Sequence, residues 1–454
     1  MLPGLMQSAP LQISSILRHA ALAFPTREIV SRLVDEPVFR YDYRGLAGRA
    51  AKVANLVAAL GVEAGDRVTS LAWNTHRHME LFYGVPGMGA VLHTANPRLS
   101  DDQIIYTINH ADSRVLLFDR SFAGLVARLR PHLTSVRHVI QLSPPELCDG
   151  HDSYETLLAA QEDAFDWPVF SENAGSFLCY TSGTTGDPKG VLYSHRSVVL
   201  HALAGGLSSA FGLSAFDVIM PCSSLYHATA WGLPFTAVLN GAKLVLPCDR
   251  MDAVSLQQLI QQEGVTFSGG VPTIWTMYLD HLNRTGEGAG ALKRVVIGGS
   301  AVPRAMAESF QTTYGVSVLQ IWGMTETSPL GVVATPTPAL AALGEDEVNE
   351  VIWTRQGRLQ FGIELKIVDE TGAAKVGDLV VEVVAPEAAA GPERPLALFD
   401  APRVDYSLRR LVHYTGSDWR GMQPWVLLTN YHRYVDQFVQ WGLRQLHGGS
   451  GVQK

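Results

Sequence analysis

Apolar positions along the chain alternate between two spacings. Residues 45–60 repeat at helical spacing, whereas 115–118 and 138–142 are short continuous apolar runs of strand length. This alternation persists to about residue 170 and predicts an α/β architecture. A second α/β stretch starts near Glu172, with strands predicted at 177–180, 243–246 and 294–297 and helices at 254–263 and 302–314. Residues 358–369 and 378–384 then read as strands separated by a turn at 369–372.

After Val384 the sequence changes to APEAAAGPERP, whose proline, glycine and alanine cannot build a packed element alone. Beyond this junction Val404, Leu408, Leu411 and Val412 recur at helical spacing before Gly416, and Tyr431, Val435, Phe438 and Val439 repeat the pattern, so two amphipathic helices are predicted. The tail HGGSGVQK reads as a frayed end. The expected organisation is a first α/β subdomain over 1–170, a second with a β-rich end over 171–384, a linker over 385–395 and a helical segment over 396–454.

A length of 454 residues allows two or three packed units and an enclosed cleft, and 47% hydrophobic against 17% charged residues excludes global disorder. A formal charge of −8 gives no general attraction to nucleic acid or anionic lipid, so an anionic substrate must be held by local groups. Cys148, Cys179, Cys222 and Cys248 show no CxxC spacing, which argues against a zinc site or disulfide framework and suits a reducing cytoplasm. The N-terminus lacks the basic and apolar regions of a secretory signal, and no apolar run reaches the eighteen or so residues of a membrane span.

The densest chemical signal is YTSGTTGDPKG, residues 180–190, between two apolar runs. Gly183, Gly186 and Gly190 permit close backbone approach, so successive N–H groups can turn toward an anion. Thr181, Ser182, Thr184 and Thr185 add hydroxyl donors and Lys189 a mobile positive charge. A plain surface turn needs neither the lysine after proline nor three spaced glycines, whereas a cradle for a polyphosphate needs both. Val191 excludes the Walker pattern GxxxxGK[ST].

This loop resembles the signature loop of adenylate-forming enzymes, the superfamily of acyl-CoA synthetases, luciferases and peptide-synthetase adenylation domains. The resemblance covers roughly residues 1–384 and includes NPRLS at 96–100, GGVPTIW at 269–275, GGSAVPR at 298–304 and WGMTETSPLG at 322–331. LAWNTHRHME and YSHRSVVLHAL add to it, and together they point to medium-chain fatty-acyl-CoA synthetases and related methylmercaptopropionate-CoA ligases. The fold implied is the large N-terminal domain of that superfamily, packed α/β subdomains with a smaller β-rich part.

The resemblance implies ATP, Mg²⁺ and coenzyme A as ligands, with a carboxylic acid as substrate. In the phosphate loop Thr181, Ser182, Gly183, Thr184, Thr185, Gly186 and Lys189 would hold the phosphates. Trp322 would lie beside adenine with Gly323 and Met324, Thr325 would contact phosphate and Glu326 would coordinate Mg²⁺. Taken alone, Trp322 reads as core and Glu326 as a surface charge; their place downstream of the loop reverses that reading. Gly298, Gly299, Ser300 and Ala301 would pack against adenine, although GGSA also suits a strand-to-helix turn with Ser300 as helix cap. His227 would stand near the carboxylate, with Trp231, Gly270 and Val271 along the acyl chain; Ser224 stands where such families often carry proline. The reaction implied is attack of the carboxylate on the α-phosphorus to give acyl-AMP and pyrophosphate, followed by displacement of AMP by the CoA thiolate. Lys189, Thr325, Glu326 and His227 are the expected catalytic set.

After the GDLVVEV strand the family's threonine-glycine-aspartate motif and its small C-terminal domain with an acyl-phosphate lysine do not follow. Residues 395–446 instead resemble a fragment of AMP nucleosidase without the motifs that would complete its catalysis, so His413 and His432 read as packing or surface groups. Three expectations follow: an acyl-CoA synthetase impaired by that difference, a catalytically silent nucleotide-binding fusion, and, behind both, nucleosidase activity. A homodimer is compatible with all three.

Overall fold

Short runs such as Lys243–Leu246 and Arg294–Ile297 are apolar on both faces, as strands of a parallel sheet covered on both sides must be. The structure, a computed structural model, describes residues 5–148, 150–181 and 187–363, and after them the backbone of the strands Glu364–Lys366, Leu379–Val380, Glu382–Val384, Arg410–Tyr414 and Trp425–Leu428. The described residues up to 360 form one compact unit, and those from Phe361 onward belong to another.

In the first unit the described strands build two sheets. Seven strands run in the order 152–153, 138–141, 113–118, 67–71, 91–94, 175–181 and 189–194, all parallel except the last antiparallel pair. Nine run in the order 358–359, 330–333, 317–323, 294–297, 267–270, 218–221, 243–246, 28–31 and 39–42, parallel through the middle and antiparallel at both edges. Each sheet takes strands from both sides of residue 170. The sheets therefore interleave across the expected 170/171 boundary, because periodicity reports what an element is and not which strand it pairs with.

Helix ends follow their capping residues. Asp42 accepts from Gly45 N at 2.8 Å to open Tyr43–Ala59, and Asp252 accepts from Ser255 N at 3.0 Å to open Ala253–Glu263, which Gly264 stops in left-handed conformation at φ 65°. Both agree with the predicted helices to within two residues. A large apolar core includes Tyr43, Phe82, Phe177, Phe235 and Phe267, and a second gathers Trp275, Tyr278, Phe310 and Val295.

In the second unit Glu364–Lys366 pairs antiparallel with Glu382–Val384, and Arg410–Tyr414 lies between Leu379–Val380 and Trp425–Leu428, antiparallel to both. The predicted 358–369 strand is thus two strands, Arg358–Leu359 and Glu364–Lys366, interrupted by a turn with Gly362 at φ 88°. The helix expected through Leu411 and Val412 is corrected: both lie in the strand Arg410–Tyr414. A run of two or three apolar residues satisfies either period, and pairing across the ladder decides between them. Val404, Leu408, the second predicted helix and the 369–372 turn lie outside the described residues.

Candidate active site

The neighbouring strands Ser317–Gly323, Arg294–Ile297, Phe267–Gly270 and Val218–Pro221 are parallel, so their C-terminal ends share one edge of the nine-stranded sheet. In open α/β sheets ligands bind outside such carboxyl ends. His227 and Trp231 follow Val218–Pro221, Gly270 and Val271 close Phe267–Gly270, Gly299, Ser300 and Ala301 follow Arg294–Ile297, and Trp322 to Glu326 close Ser317–Gly323, the fourth end in chain order.

Trp231 is 6% exposed and lies across two of these ends. A Cβ built on Gly269 would lie 3.9 Å from its ring, and one built on Gly299 would lie 3.8 Å from it and 3.2 Å from Val271 Cγ1. Gly299 also has φ 82°, which glycine adopts most readily. Trp231 reaches this position because Ala228, Thr229, Ala230 and Trp231 all take positive φ, between 40° and 58°, in a left-handed turn closed by Gly232. Each such L-residue costs about 1–2 kcal/mol, so the surrounding structure must hold the turn. Any side chain at Gly232 would collide with the His201 ring beneath it.

At the fourth strand end the backbone folds tightly back on itself. A side chain at Gly323 would strike the Pro329 carbonyl, and one at Gly331 would lie 2.7 Å from the Trp322 ring, so the glycines let the indole lie flat on the following strand. Met324 N donates to Thr327 Oγ1 at 2.9 Å, and the carbonyl of buried Thr325 accepts from Tyr193 Oη at 2.6 Å. Glu326 is left exposed. Tyr193 was not among the sequence candidates; its only sequence signal is a phenol at the polar end of the second apolar run.

His227 is exposed, yet desolvation by neighbouring protein pushes its pKa below the ordinary imidazole range. It is the neutral ring at neutral pH, an acceptor as well as a donor. Its backbone N–H donates to Ser224 O at 2.9 Å.

Thr181 and Lys189 form the last antiparallel pair of the hairpin Gly175–Thr181 and Lys189–Ser194, so the phosphate loop springs from a two-stranded base. Lys189 and Asp187 are exposed there. Ser182, Gly183, Thr184, Thr185 and Gly186 lie outside the described residues. One reading changes. Ser300 does not cap the following helix, which starts at Arg304 with Pro303 at its N-cap. Trp275 is fully buried against Tyr278 and Phe310, its indole N–H donating to Gly270 O at 3.1 Å, so only the Gly270–Val271 end of that motif faces the site edge.

Among the described residues no group of three or more His, Cys, Asp or Glu gathers as a metal cage. An exposed single carboxylate such as Glu326 nevertheless fits Mg²⁺, which keeps several waters and commonly takes one or two protein carboxylates beside phosphate oxygens.

Strand ends that meet in this way, with the glycine- and hydroxyl-rich sequence 180–190 between paired strands, accord with an adenylate-forming class of enzyme. The chain belongs to the AMP-binding enzyme family, whose model matches residues 17–383. It is 43% identical over 389 residues to a 3-methylmercaptopropionyl-CoA ligase of Ruegeria lacuscaerulensis, covering 83% of this chain and 72% of that protein. It is 41% identical to a medium-chain-fatty-acid–CoA ligase of Ectopseudomonas oleovorans over 81% of this chain and 69% of that protein. Among solved structures, the anthranilate CoA ligase AuaEII in complex with anthranoyl-AMP matches with a TM-score of 0.72 at 22% identity, over 83% of this chain and 70% of that one. The long-chain-fatty-acid-CoA ligase FadD1 from Archaeoglobus fulgidus gives 0.73 at 22%, over 85% and 77%. At that identity the structures show the fold.

Proposed function

We propose that this chain activates a fatty or other small apolar carboxylic acid with ATP, forming acyl-AMP and then acyl-CoA. The observation that carries the reading is the shared edge at which apolar Trp231 and Val271, neutral His227 and carboxylate-bearing Glu326 follow adjacent strand ends. The acid supplies its own nucleophile, so the protein's task is positioning and charge stabilisation. Trp231, Gly270 and Val271 line the acyl side. His227 holds a carboxylate or acyl-phosphate oxygen through its ring N–H. Trp322, Gly299, Ser300 and Ala301 take the adenine, with Gly323 and Met324 keeping the backbone close to it. Thr325, Lys189 and the hydroxyls and amides of 181–186 hold phosphate oxygens. Mg²⁺ on Glu326 would neutralise phosphate charge. The four cysteines are free thiols, which accords with a cytoplasmic setting, and a homodimer is compatible with the reading.

The test is acid-dependent pyrophosphate release, followed by thioester formation on adding coenzyme A, across acetate, octanoate and 3-methylmercaptopropionate. Octanoate or 3-methylmercaptopropionate should be preferred over acetate. ATP binding without pyrophosphate release from any acid would favour the second reading, a nucleotide-binding protein without turnover. Adenine release from AMP would be needed for nucleosidase chemistry, and is not expected.

A further inference from the structure

We propose that Asn74, which lies just past the strand Arg67–Leu71 of the other sheet, is the positioning residue that holds the His227–Gly232 segment in its working conformation. Asn74 is 1% exposed. Its Nδ2 donates to Pro221 O and to Ser223 O, each at 2.9 Å, and its Oδ1 accepts from Leu225 N at 2.8 Å. All three bonds fall on one five-residue stretch, the link between strand Val218–Pro221 and His227. The reverse amide orientation would set Oδ1 against two carbonyls, so the network fixes it.

The same stretch is held on its other side, where Cys222 N and Ser223 N both donate to Gly269 O at 2.8 Å. Asn74 O also accepts from Cys248 N at 3.0 Å, and the preceding Trp73 ring stands edge-on to Tyr226 at 6.1 Å. The link is thus suspended between Asn74 and Gly269, and Ser224 O, in the middle of it, receives His227 N. The left-handed turn begins immediately afterwards. A run of four L-residues at positive φ persists only where its entry is over-determined, and Asn74 supplies the side-chain part of that entry. Because the clamp acts on the acyl side and touches none of the proposed ATP groups, its loss should separate acid from nucleotide. This role rests on the acyl-activation reading above.

Asn74→Ala and the isosteric Asn74→Asp, which keeps the acceptor for Leu225 N but turns oxygen toward the two carbonyls, should each raise KM for octanoate about tenfold and leave KM for ATP within about twofold. In hydrogen exchange, amides of 222–232 should exchange about tenfold faster while those of 294–297 stay unchanged. Unchanged exchange at 222–232, equal acceleration everywhere, or local acceleration with neither KM moved would each overturn the positioning role. If the unmodified protein releases no pyrophosphate with any acid, the proposed function falls, and the exchange measurement alone decides whether Asn74 holds the turn. Should the alanine variant not fold, the aspartate variant carries the same comparison.

Discussion

The phenol of Tyr193 donates to the backbone carbonyl of Thr325 at 2.6 Å, tying the edge strand of the seven-stranded sheet to the strand end that carries Glu326 in the other sheet. The hairpin Gly175–Thr181 and Lys189–Ser194 and the Trp322–Glu326 turn, both parts of the proposed nucleotide site, are therefore joined by a buried hydrogen bond. Burial also raises the phenol's pKa well above its usual range, so it remains a donor across the working pH range.

Tyr193→Phe removes that donor and leaves a buried carbonyl unsatisfied, which costs about 1–3 kcal/mol. Its expected signature is a rise of roughly tenfold in KM for ATP, with KM for the acid little changed. Steady-state kinetics in both substrates check it; equal changes in the two constants would mean that the bond supports the fold generally.

Gly299→Ala meets two obstacles, φ 82° and Val271 Cγ1 at 3.2 Å, whereas Gly288 has open space and no positive φ. The first substitution should lower stability by about 1–2 kcal/mol and shift Val271 or Trp231. Gly288→Ala should be neutral to within about half a kcal/mol. Urea unfolding of the pair decides the point.

Glu326→Gln keeps the shape and removes the charge. The magnesium concentration for half-maximal pyrophosphate release should rise, and the maximal rate should fall by about 10²–10³ if the carboxylate stabilises developing charge through the ion. Lys189→Ala should weaken ATP binding measured by calorimetry. An unchanged magnesium requirement in the glutamine variant would remove Glu326 from the metal site.

Acid should unfold the protein through buried imidazoles. Burial lowers His78, His195 and His201 to about 4 and His93 to about 3, so the unfolded chain binds more protons than the folded one from about pH 6.5 downward. Their contribution to stability is present above pH 6.5 and is lost as the pH falls toward those values. Asp119, which burial raises to about 7, works against them by holding a proton in the folded state. Burial also lowers His76 well below the ordinary imidazole range and raises Glu80, and the histidines outnumber the two carboxyls, so stability falls as the pH drops below about 6.5. His93→Gln should flatten the pH dependence of the unfolding free energy, measured by urea titration, by about 1 kcal/mol per pH unit between about pH 6 and 4.

The strands Lys243–Leu246 and Arg294–Ile297 and the helix ending at Glu263 were legible in the sequence because apolar run length and an Asp or Gly boundary report directly on local backbone. The proposed site residues on the nine-stranded sheet rest on a different kind of signal, the resemblance of their motifs to the adenylate-forming family, since taken alone Trp322 reads as core and Glu326 as a surface charge. Sheet membership was not legible, since nothing in residues 28–31 says that their neighbour is 243–246. The left-handed turn at 228–232 was hidden too, because Ala, Thr and Trp carry no propensity for it; the His201 ring, Asn74 and Gly269 are partners that only the folded chain supplies.

The strand Glu28–Ser31 finds its parallel neighbour Lys243–Leu246 only after roughly 200 more residues have been synthesised, some 10–40 s later at about 5–20 residues per second. Until then its hairpin partner Phe39–Asp42 covers one side, and the other side is an open row of amides and carbonyls on a buried-type apolar strand. The nascent chain must therefore shelter this edge from strands made soon after it, such as Arg67–Leu71, or from a neighbouring polypeptide on the same ribosome cluster. Yield on overexpression should accordingly depend on translation speed and on the supply of holding chaperones.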